Sequence, residues 1–368
     1  MGSNQAIKNI FEQFDTEGSF YSAEIYGSGH INDTYLVQSA EPDKPDYILR
    51  RINQYVFKNP PALLKNIARV TDHLRQKKQQ TNLDETGLHY ILKLLPSLSG
   101  EYYVMDSHKN YWSLLYFIPD SKTLDVVEND NQAWEGGKAF GNFIRNLTDF
   151  PVNELHISIP HFHDVEKRLE WFREAINNAP KDRLDQAGDM ITFLDERAEK
   201  MTSIGVAGKK GLLPLRVTHN DTKFNNVLLN KSDQAICIID LDTVMPGYVH
   251  YDFGDALRTI TNTGEEDDRD LSNVSFNLAY FKAFTRGYID RTLDVMTEKE
   301  KKLLPLAPLM MVYEQTIRFL TDYLQEDKYY KIDYPEHNLQ RTKAQLTLLR
   351  SMESAEDEIR SYIYSFMD

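Results

Sequence analysis

The spacing of apolar residues in the first part of the chain predicts alternating helices and strands. Residues 5–14 place Ile7, Ile10, Phe11 and Phe14 on one stripe, which is typical of an amphipathic helix. The elements predicted after it are a strand-like stretch at 22–40 broken at Gly27–Gly29, a strand at 47–52, a helix starting near Pro60, and strands at 102–105 and 112–118. This order predicts a small, β-rich N-terminal lobe over residues 1–118.

Beyond Pro119 the apolar spacing changes to a mainly helical period. The predicted helices are 131–147, 164–178, 184–203, 273–292, 298–327 and 338–364. Between them lies a short β segment with the sequence VTHNDTKFNN at 217–226 and ICIIDLDTVMPG at 236–247. We therefore expect an α+β fold with a larger, mainly helical C-terminal lobe over residues 119–368.

Composition narrows the class of protein. The chain has 368 residues, 42 Lys and Arg against 56 Asp and Glu, and a net charge of −14, which argues against a nucleic-acid partner. The single cysteine, Cys237, excludes an internal disulfide and lies in an apolar run, where a buried thiol is expected. No segment approaches the ~18 apolar residues of a membrane span, and the N-terminus does not resemble a signal peptide. The sequence predicts a cytoplasmic protein without a membrane partner; it does not indicate the oligomeric state.

The β segment carries the pattern H-x-D-x-x-x-x-N at His219, Asp221 and Asn226. Phosphoryl transfer needs a carboxylate that accepts the hydroxyl proton and a nearby side-chain oxygen for Mg²⁺. Asp221 and Asn226 suit these two tasks, and Lys223 could reach the transferred phosphoryl group. Asp240, which follows the next predicted strand, can supply a second metal ligand. A capping or turn motif is the alternative for the first pattern taken alone.

Two further features would serve a nucleotide. The backbone amides of the loop Gly27-Ser28-Gly29-His30-Ile31-Asn32 could cover phosphates, although a plain hairpin turn is equally compatible with this sequence. A cation for the α- and β-phosphates is expected on the next strand, which offers Arg50 and Arg51. Their side chains point to opposite faces, so only one can serve, and the spacing does not choose between them.

In combination, the segments GSGHINDTYLV, YILRRIN, HNDTKFNN, IIDLDTVMPG and YDFGDALR resemble the aminoglycoside phosphotransferase and choline kinase-like superfamily. Within it the chain looks most like the N-acetylhexosamine 1-kinases, on GHINDTY, DLDTVMPG and IRFLTDYL. The resemblance implies a protein-kinase-like, two-lobed fold and the use of Mg²⁺ and ATP. The helix predicted after the strand of Arg50 and Arg51 lacks the Glu that pairs with the strand cation in protein kinases.

The resemblance also implies individual site residues. Asp221 would be the catalytic base, with Lys223 beside it, and Asn226 and Asp240 would bind the metal. His219 and Asp252 would support the catalytic loop, and Asp242 could lie just outside the direct ligands of the metal. The nucleotide would contact Gly27, Ser28, Gly29, Asn32, Arg51 and a hinge at Phe117 and Ile118; the sugar would contact His30, Asp221, Arg318 and Tyr329.

The polar residues Glu314, Arg318 and Asp322 are spaced four apart, and they fit an ion-pair ladder on a solvated helix face as well as a sugar site. The function implied is phosphorylation of the anomeric hydroxyl of N-acetylglucosamine or N-acetylgalactosamine. The alternatives are a kinase of another small alcohol, such as choline, homoserine or an aminoglycoside, and a nucleotide-binding pseudokinase module.

Overall fold

The computed structural model describes residues 4–27, 31–80 and 89–367 and has a mixed α+β fold. The strands are β1 Phe20–Ile25, β2 Asp33–Ser39, β3 Tyr47–Arg51, β4 Leu94–Leu95, β5 Val104–Met105, β6 Tyr111–Tyr116, β7 Arg216–Thr218, β8 Val227–Leu229, β9 Ala235–Ile238 and β10 Met245–Gly247. The helices are α1 Asn4–Phe11, α2 Pro60–Gln80, α3 Asp130–Asn146, α4 Val165–Asn178, α5 Lys181–Asp195, α6 Ala198–Lys209, α7 Val249–Ile260, α8 Leu278–Thr292, α9 Glu298–Leu303, α10 Ala307–Leu324, α11 His337–Ser354 and α12 Glu356–Tyr364.

The chain divides into two compact units that interleave along the sequence. The first unit contains Met1–Lys122, Asn146–Pro160 and Leu228–Pro246, and the second contains Thr123–Arg145, His161–Val227 and Gly247–Asp368. The turn between β8 and β9 and the aspartates after β9 thus belong to the first unit, whereas the sequence predicts them in a C-terminal lobe over residues 119–368. Asp221 belongs to the second unit.

The first unit is built around an antiparallel sheet with the order β1-β2-β3-β6-β4, and β5 pairs with β6. Its core confirms the predicted stripe of α1, because Ile7, Ile10, Phe11 and Phe14 pack with buried side chains of the sheet. The register pairs Asp33 with Arg51 directly across β2 and β3. Since successive residues of a strand point to opposite faces, Arg50 and Arg51 face different surroundings.

The second unit is mainly helical and packs around α10. This helix contacts α11, α7 and α4, and nearly all of its residues are buried, which explains its almost uninterrupted apolar sequence. No helix among the described residues is long and apolar enough to cross a membrane.

Several predicted helices are divided, and one helix was missed. The segment 184–203 is two helices, α5 and α6, interrupted at Glu196 and Arg197, and the segments 298–327 and 338–364 are likewise divided. The strand β4 and the helix α7 were not predicted. Helix α7 buries an apolar stripe at helical spacing and, beside it, the polar residues His250, Asp252, Asp255 and Arg258. The stripe is a helix signal that the prediction overlooked, and it consists of Val249, Phe253, Ala256, Leu257 and Ile260.

Candidate active site

The catalytic-loop motif forms a compact turn after β7. The Nδ2 group of Asn226 donates to the backbone carbonyl of Asp221 at 2.8 Å and lies 3.4 Å from its Oδ2 atom. The Nζ atom of Lys223 lies 3.5 Å from Oδ1 of Asp221, and the charge of that carboxylate raises the pKa of Lys223. The structure therefore brings together the predicted base Asp221, the predicted metal ligand Asn226, and Lys223, which was predicted to reach the transferred group.

Two carboxylates of α7 accept hydrogen bonds from backbone N–H groups of this loop. Asp252 is fully buried and accepts the backbone N–H groups of His219 and Asn220, both at 2.8 Å. Burial raises the pKa of Asp252 to about 6, against the opposing effects of His219 and these amides. Asp255 accepts the N–H group of Thr222 at 2.9 Å. Asp252 thus has the supporting position that the resemblance implies, whereas Asp255 was not predicted.

Asn220, the residue before Asp221, has an unusual backbone conformation. Asn220 has a φ of 64°, in the left-handed region that Asn tolerates better than most side chains. Gly247 packs closely here, and a Cβ atom on it would overlap Oγ1 of Thr218. The conformation of Asn220 directs the chain so that Asp221 follows a sharp turn at the end of β7.

In the first unit, a buried arginine lies beside the two aspartates that follow β9. Arg50 hydrogen-bonds Asp242 through Nη2, and the same atom lies 3.8 Å from Oδ1 of Asp240. The side chains of Arg50 and Asp242 are only 10% and 5% exposed. Burial alone would lower the pKa of Arg50, but the charges of Asp242 and Asp240 outweigh it and raise that pKa. Asn32 also donates to Oδ2 of Asp242, at 2.5 Å.

Arg51 has a different environment. Its guanidinium pairs with Asp33, and the two side chains are 45% and 47% exposed. The nucleotide contact inferred for Arg51 therefore has no support from its position, and Arg50 is the arginine that faces the acidic turn. The strand arginine Arg50 thus has ion-pair partners in Asp242 and Asp240, although the helix predicted after its strand contains no Glu.

The acidic turn offers oxygen atoms of the type that Mg²⁺ prefers. Asp240 has a left-handed φ of 57°, and the Oδ1 atom of Asp242 is buried without a hydrogen-bond partner among the described residues. Over the same residues there is no group of three or more His, Cys, Asp or Glu side chains suited to a metal ion. A site with one or two protein ligands fits Mg²⁺, which usually keeps water and phosphate oxygens as its other ligands. Asn226 and Asp240 belong to different units, so their joint ligation stays a prediction.

The predicted nucleotide contacts are only partly described. Ser28, Gly29 and His30 lie outside the described residues, and Gly27 has a left-handed φ of 78°. At the predicted hinge, the backbone N–H of Phe117 donates to the backbone carbonyl of Asp46 at 2.9 Å, and its ring meets that of Tyr26 edge-on at 5.8 Å.

The hinge residue Ile118 packs in a buried cluster with Ile236 and Cys237. Burial raises the pKa of the Cys237 thiol to about 12, which confirms the expectation of a buried thiol. Ile118, at the predicted hinge, therefore packs on an apolar surface that β9 provides.

Helix α10 carries the polar series 314, 318 and 322, which does not form a solvated ladder. Glu314 and Asp322 are buried, and Arg318 is largely buried. The guanidinium of Arg318 lies 5.6 Å from the ring centre of Phe162 and 5.9 Å from that of Tyr330. The interpretation as a surface ion-pair ladder is therefore wrong.

The tyrosines after α10 are held by the last residue of this polar series. Asp322 accepts the N–H groups of Tyr329 and Tyr330 at 2.7 and 2.9 Å. Tyr329 is 63% exposed, whereas Tyr330 lies next to Arg318, and its buried hydroxyl has no hydrogen-bond partner among the described residues. The structure thus places Tyr330, which was not predicted, beside Arg318. A sugar contact by Tyr329 stays a prediction.

The comparison with known families agrees with this geometry. Residues 22–294 match the model of the phosphotransferase enzyme family, APH. The chain belongs to this family. The expected enzyme class, transfer of a phosphoryl group to an alcohol, is confirmed at this level.

Solved structures show the same fold. An aminoglycoside phosphotransferase from Alicyclobacillus acidocaldarius is 13% identical with a TM-score of 0.66, over 97% of this chain and 96% of that one. A microcompartment-associated aminopropanol kinase is 15% identical with a TM-score of 0.64, over 97% and 98%. A spectinomycin phosphotransferase in complex with ADP and spectinomycin is 14% identical with a TM-score of 0.57, over 97% and 99%. At these identities the likeness shows the fold, and it confirms the predicted fold class of this phosphotransferase.

Two residues of the phosphotransferase site could not be predicted from local patterns. Asp255 lies three residues after Asp252 in a helix that was itself missed. Burial raises its pKa, but the charges of Arg258, His163 and Lys223 together outweigh burial and lower it. His163, which precedes α4, contacts the carbonyl group of Asn220. Its segment, HFHDVEKR at 161–168, shows no motif. Only the fold brings it to the catalytic loop.

Proposed function

We propose that this phosphotransferase transfers the γ-phosphoryl group of ATP, with Mg²⁺, to the anomeric hydroxyl of an N-acetylhexosamine. The products would be ADP and a sugar 1-phosphate, with N-acetylglucosamine or N-acetylgalactosamine as the acceptor. The resemblance in GHINDTY, DLDTVMPG and IRFLTDYL supports the acceptor class. The observation that carries the proposal is the buried position of Arg318 between aromatic rings, in the same unit as Asp221.

An uncharged sugar must be held by directional hydrogen bonds and by an aromatic surface against the apolar side of its ring. Arg318 provides several donors, and Phe162 and Tyr330 provide rings next to it. The Tyr330 hydroxyl adds a buried polar group without a partner among the described residues. Tyr329 and His30 stay in the proposal as contacts that the resemblance implies.

The charges around Arg318 argue against a cationic acceptor. Two arginines share the carboxylate of Glu314. The Nε atom of Arg168 lies 4.0 Å from Oε1 of Glu314, and the Nη1 atom of Arg318 lies 3.9 Å from the same oxygen. Glu314 is also engaged by His163, at 3.1 Å. An aminoglycoside or amino alcohol would bring another positive charge to a group that already has an excess of cations. A neutral hexosamine meets no such repulsion.

In the proposed mechanism, Asp221 accepts the proton of the acceptor hydroxyl as the oxygen attacks the γ-phosphoryl group. Asn226 holds the loop in shape through the Asp221 carbonyl, and Lys223 neutralises charge beside the base. Arg50, in place of Arg51, is proposed as the cation for the nucleotide phosphates. Gly27, Asn32, Phe117 and Ile118 are proposed to line the nucleotide site.

Asn226 and Asp240 are proposed to hold the metal, with Asp242 as their neighbour. When bound, Mg²⁺ would neutralise charge on the phosphate oxygens. The solved spectinomycin phosphotransferase contains ADP, and an amicoumacin kinase with a TM-score of 0.58 contains AMP-PNP and Ca²⁺. These structures support ATP as the co-substrate without identifying the metal.

The deciding experiment is a substrate panel. Purified protein with Mg²⁺ and ATP is given N-acetylglucosamine, N-acetylgalactosamine, choline, ethanolamine, homoserine and an aminoglycoside; ADP release is measured and products are identified by phosphorus NMR. We expect turnover with a hexosamine and a 1-phosphate product. A 6-phosphate, or turnover with an amine and with no hexosamine, would refute the sugar 1-kinase proposal. Absence of turnover with every acceptor would favour the pseudokinase alternative.

A variant tests the acceptor site itself. Arg318→Ala should raise KM for the sugar about tenfold or more, because an unpaired buried hydroxyl costs ~1–3 kcal/mol, and KM for ATP should stay nearly unchanged. Arg197→Ala is the matched control, since Arg197 also pairs with a carboxylate, Glu353, in the second unit. Normal sugar kinetics in Arg318→Ala, or an equal change in both variants, would contradict the assignment.

A further inference from the structure

His163 occupies a buried position between α10 and the catalytic loop. Its Nε2 atom lies 3.0 Å from the backbone oxygen of Asn220, and its Nδ1 atom lies 3.1 Å from Oε2 of Glu314. The side chains of His163 and Glu314 are 4% and 1% exposed. The ring also packs against those of Phe162 and Tyr251, at 4.5 and 5.3 Å between ring centres. Its orientation is therefore fixed on both edges and on its faces.

The two partners define the protonation state of the ring. A backbone carbonyl can only accept, so Nε2 must carry a hydrogen. An ionised carboxylate likewise only accepts, so Nδ1 must carry one as well. Burial opposes the charged form, but Glu314 and its hydrogen bond outweigh it and raise the pKa of His163. Burial also opposes ionisation of Glu314, yet His163 holds the pKa of that carboxyl below its usual range.

The backbone carbonyl that His163 contacts belongs to Asn220, the residue immediately before the proposed base Asp221. Asn220 is the residue with a left-handed φ of 64° immediately before Asp221, and its N–H group is held by Asp252. Its carbonyl group, held by His163, fixes the other side of the same residue. Because the two peptide units that flank the Asn220 Cα atom are both restrained, the backbone that leads into Asp221 has little freedom to rotate. Because catalysis by positioning is sensitive to displacements of ~1 Å, this restraint bears on turnover.

We propose that His163 is a positioning residue, an imidazolium that ties the catalytic loop at Asn220 to Glu314 of α10 and thereby aligns Asp221. The contact continues from Glu314 to Arg318, at 3.9 Å, so the same link connects the loop to the proposed acceptor site. The inference rests on the proposed function only in taking Asp221 as the base. It does not depend on the identity of the acceptor.

The charged groups around the ring are distributed over several elements. Glu314 lies on α10, and Asp252, Asp255 and Tyr251 face His163 from α7. Arg168 of α4 and Arg318 of α10 face Glu314 from the other side. Removal of the Glu314 charge takes away the largest effect that opposes burial of His163 and leaves the smaller effects of Asp255 and the Asn220 carbonyl. The pKa of His163 should then fall.

The test uses His163→Gln and Glu314→Gln, with His250→Gln as the matched control. His250 is another fully buried histidine of the second unit, and its Nε2 atom lies 3.0 Å from a backbone oxygen, that of Glu300. Burial lowers the pKa of His250 to about 4, so it is neutral and has no charged partner of this kind. A loss caused only by damage to the buried core should appear in both His163→Gln and His250→Gln.

We expect kcat of His163→Gln to fall about tenfold to hundredfold, with KM for ATP unchanged within about twofold, in line with a misplaced base. His250→Gln should keep kcat near the wild-type value even where thermal unfolding shows an equal loss of stability. In Glu314→Gln the pH at which kcat falls on the alkaline side should move to lower pH. The measurements use the acceptor found by the substrate panel and, as a second readout, acceptor-free hydrolysis of ATP.

Nitrogen NMR of histidine-labelled protein gives an independent readout that needs no acceptor. The signals of His163 are assigned as those that disappear in His163→Gln. In the wild-type protein at neutral pH they should show both ring nitrogens protonated. In Glu314→Gln they should show a neutral ring. A neutral ring in the wild-type protein would overturn the proposal. So would a kcat of His163→Gln within about twofold of the wild-type or control value, or an unmoved alkaline limb in Glu314→Gln. A failed hexosamine panel would refute the proposed acceptor and leave these outcomes readable.

Discussion

Replacement of Arg50 by alanine tests the central ion pair of the first unit. The change removes a buried guanidinium and leaves Asp242, whose side chain is 5% exposed, without its cation. Loss of one partner of a buried pair costs about 3–5 kcal/mol, because the remaining charge stays buried and uncompensated. Since domains of 150–250 residues lose about 2–4 °C per kcal/mol, Tm should fall by about 6–20 °C. KM for ATP should rise as well if Arg50 also meets the phosphates.

The neighbouring arginine provides the matched control. Arg51→Ala removes an exposed pair with Asp33, which contributes about 0–1 kcal/mol, so Tm and KM for ATP should change little. The assays are thermal unfolding and ATP kinetics on both variants. The double variant Arg50→Ala/Asp242→Ala measures the coupling between the two residues. Because they contact each other, the double variant should lose less free energy of unfolding than the sum of the losses in the two single variants.

The reasoning would be refuted by either of two results. One is an Arg51→Ala variant that loses as much stability as Arg50→Ala. The other is strict additivity in the double variant, which would mean that Arg50 and Asp242 do not interact. A normal KM for ATP in Arg50→Ala, together with the expected loss of stability, would limit Arg50 to a structural ion pair.

Three further outcomes are expected. Asp221→Asn should unfold like the wild type but lose ~10²–10⁴-fold in kcat; a variant that keeps more than about half of the wild-type kcat would contradict the role of base. In Mg²⁺ titrations of activity, Asp240→Ala should be inactive and Asp242→Ala less affected; the reverse order would show that the two ligands were exchanged. Cys237 should resist iodoacetamide at a mildly alkaline pH in the native protein and react after unfolding, because its thiol is buried with a pKa of about 12; alkylation of the native protein would contradict that burial.

The parts of the site that lie close together in the sequence were predictable. Asp221 and Asn226 are five residues apart in one motif, and the structure brings the Asn226 amide to the Asp221 carbonyl. The stripe on α1 was also predictable, because helical periodicity is a local signal. In both cases the chemistry or packing is determined within a few turns of the chain.

The parts that depend on distant residues were not predictable in the same way. Arg50 and Asp242 are separated by 192 positions, and His163 and Glu314 by 151. No periodicity or spacing connects such pairs, so the strand could not choose between Arg50 and Arg51, and His163 carried no signal. Helix α7 is a different case, since the apolar spacing of Val249, Phe253, Ala256, Leu257 and Ile260 is a local helix signal. What depends on distant residues is the role of its buried Asp252, which holds the loop after β7.

The distribution of charge reconciles an acidic chain with an anionic co-substrate. The net charge is −14, yet exposed charges are screened beyond a Debye length of ~8–10 Å at physiological salt. Arg50, by contrast, is buried beside Asp242 and Asp240, where screening is weak and its pKa is raised, so it stays cationic at any physiological pH. The turn that supplies these carboxylates also supplies the oxygens proposed for the metal. One arginine against two aspartates still leaves a net negative cluster, so binding of the phosphates here would need the positive charge of the proposed Mg²⁺ as well as Arg50. A strong dependence of the KM for ATP on Mg²⁺, and a weak dependence on ionic strength, is therefore expected.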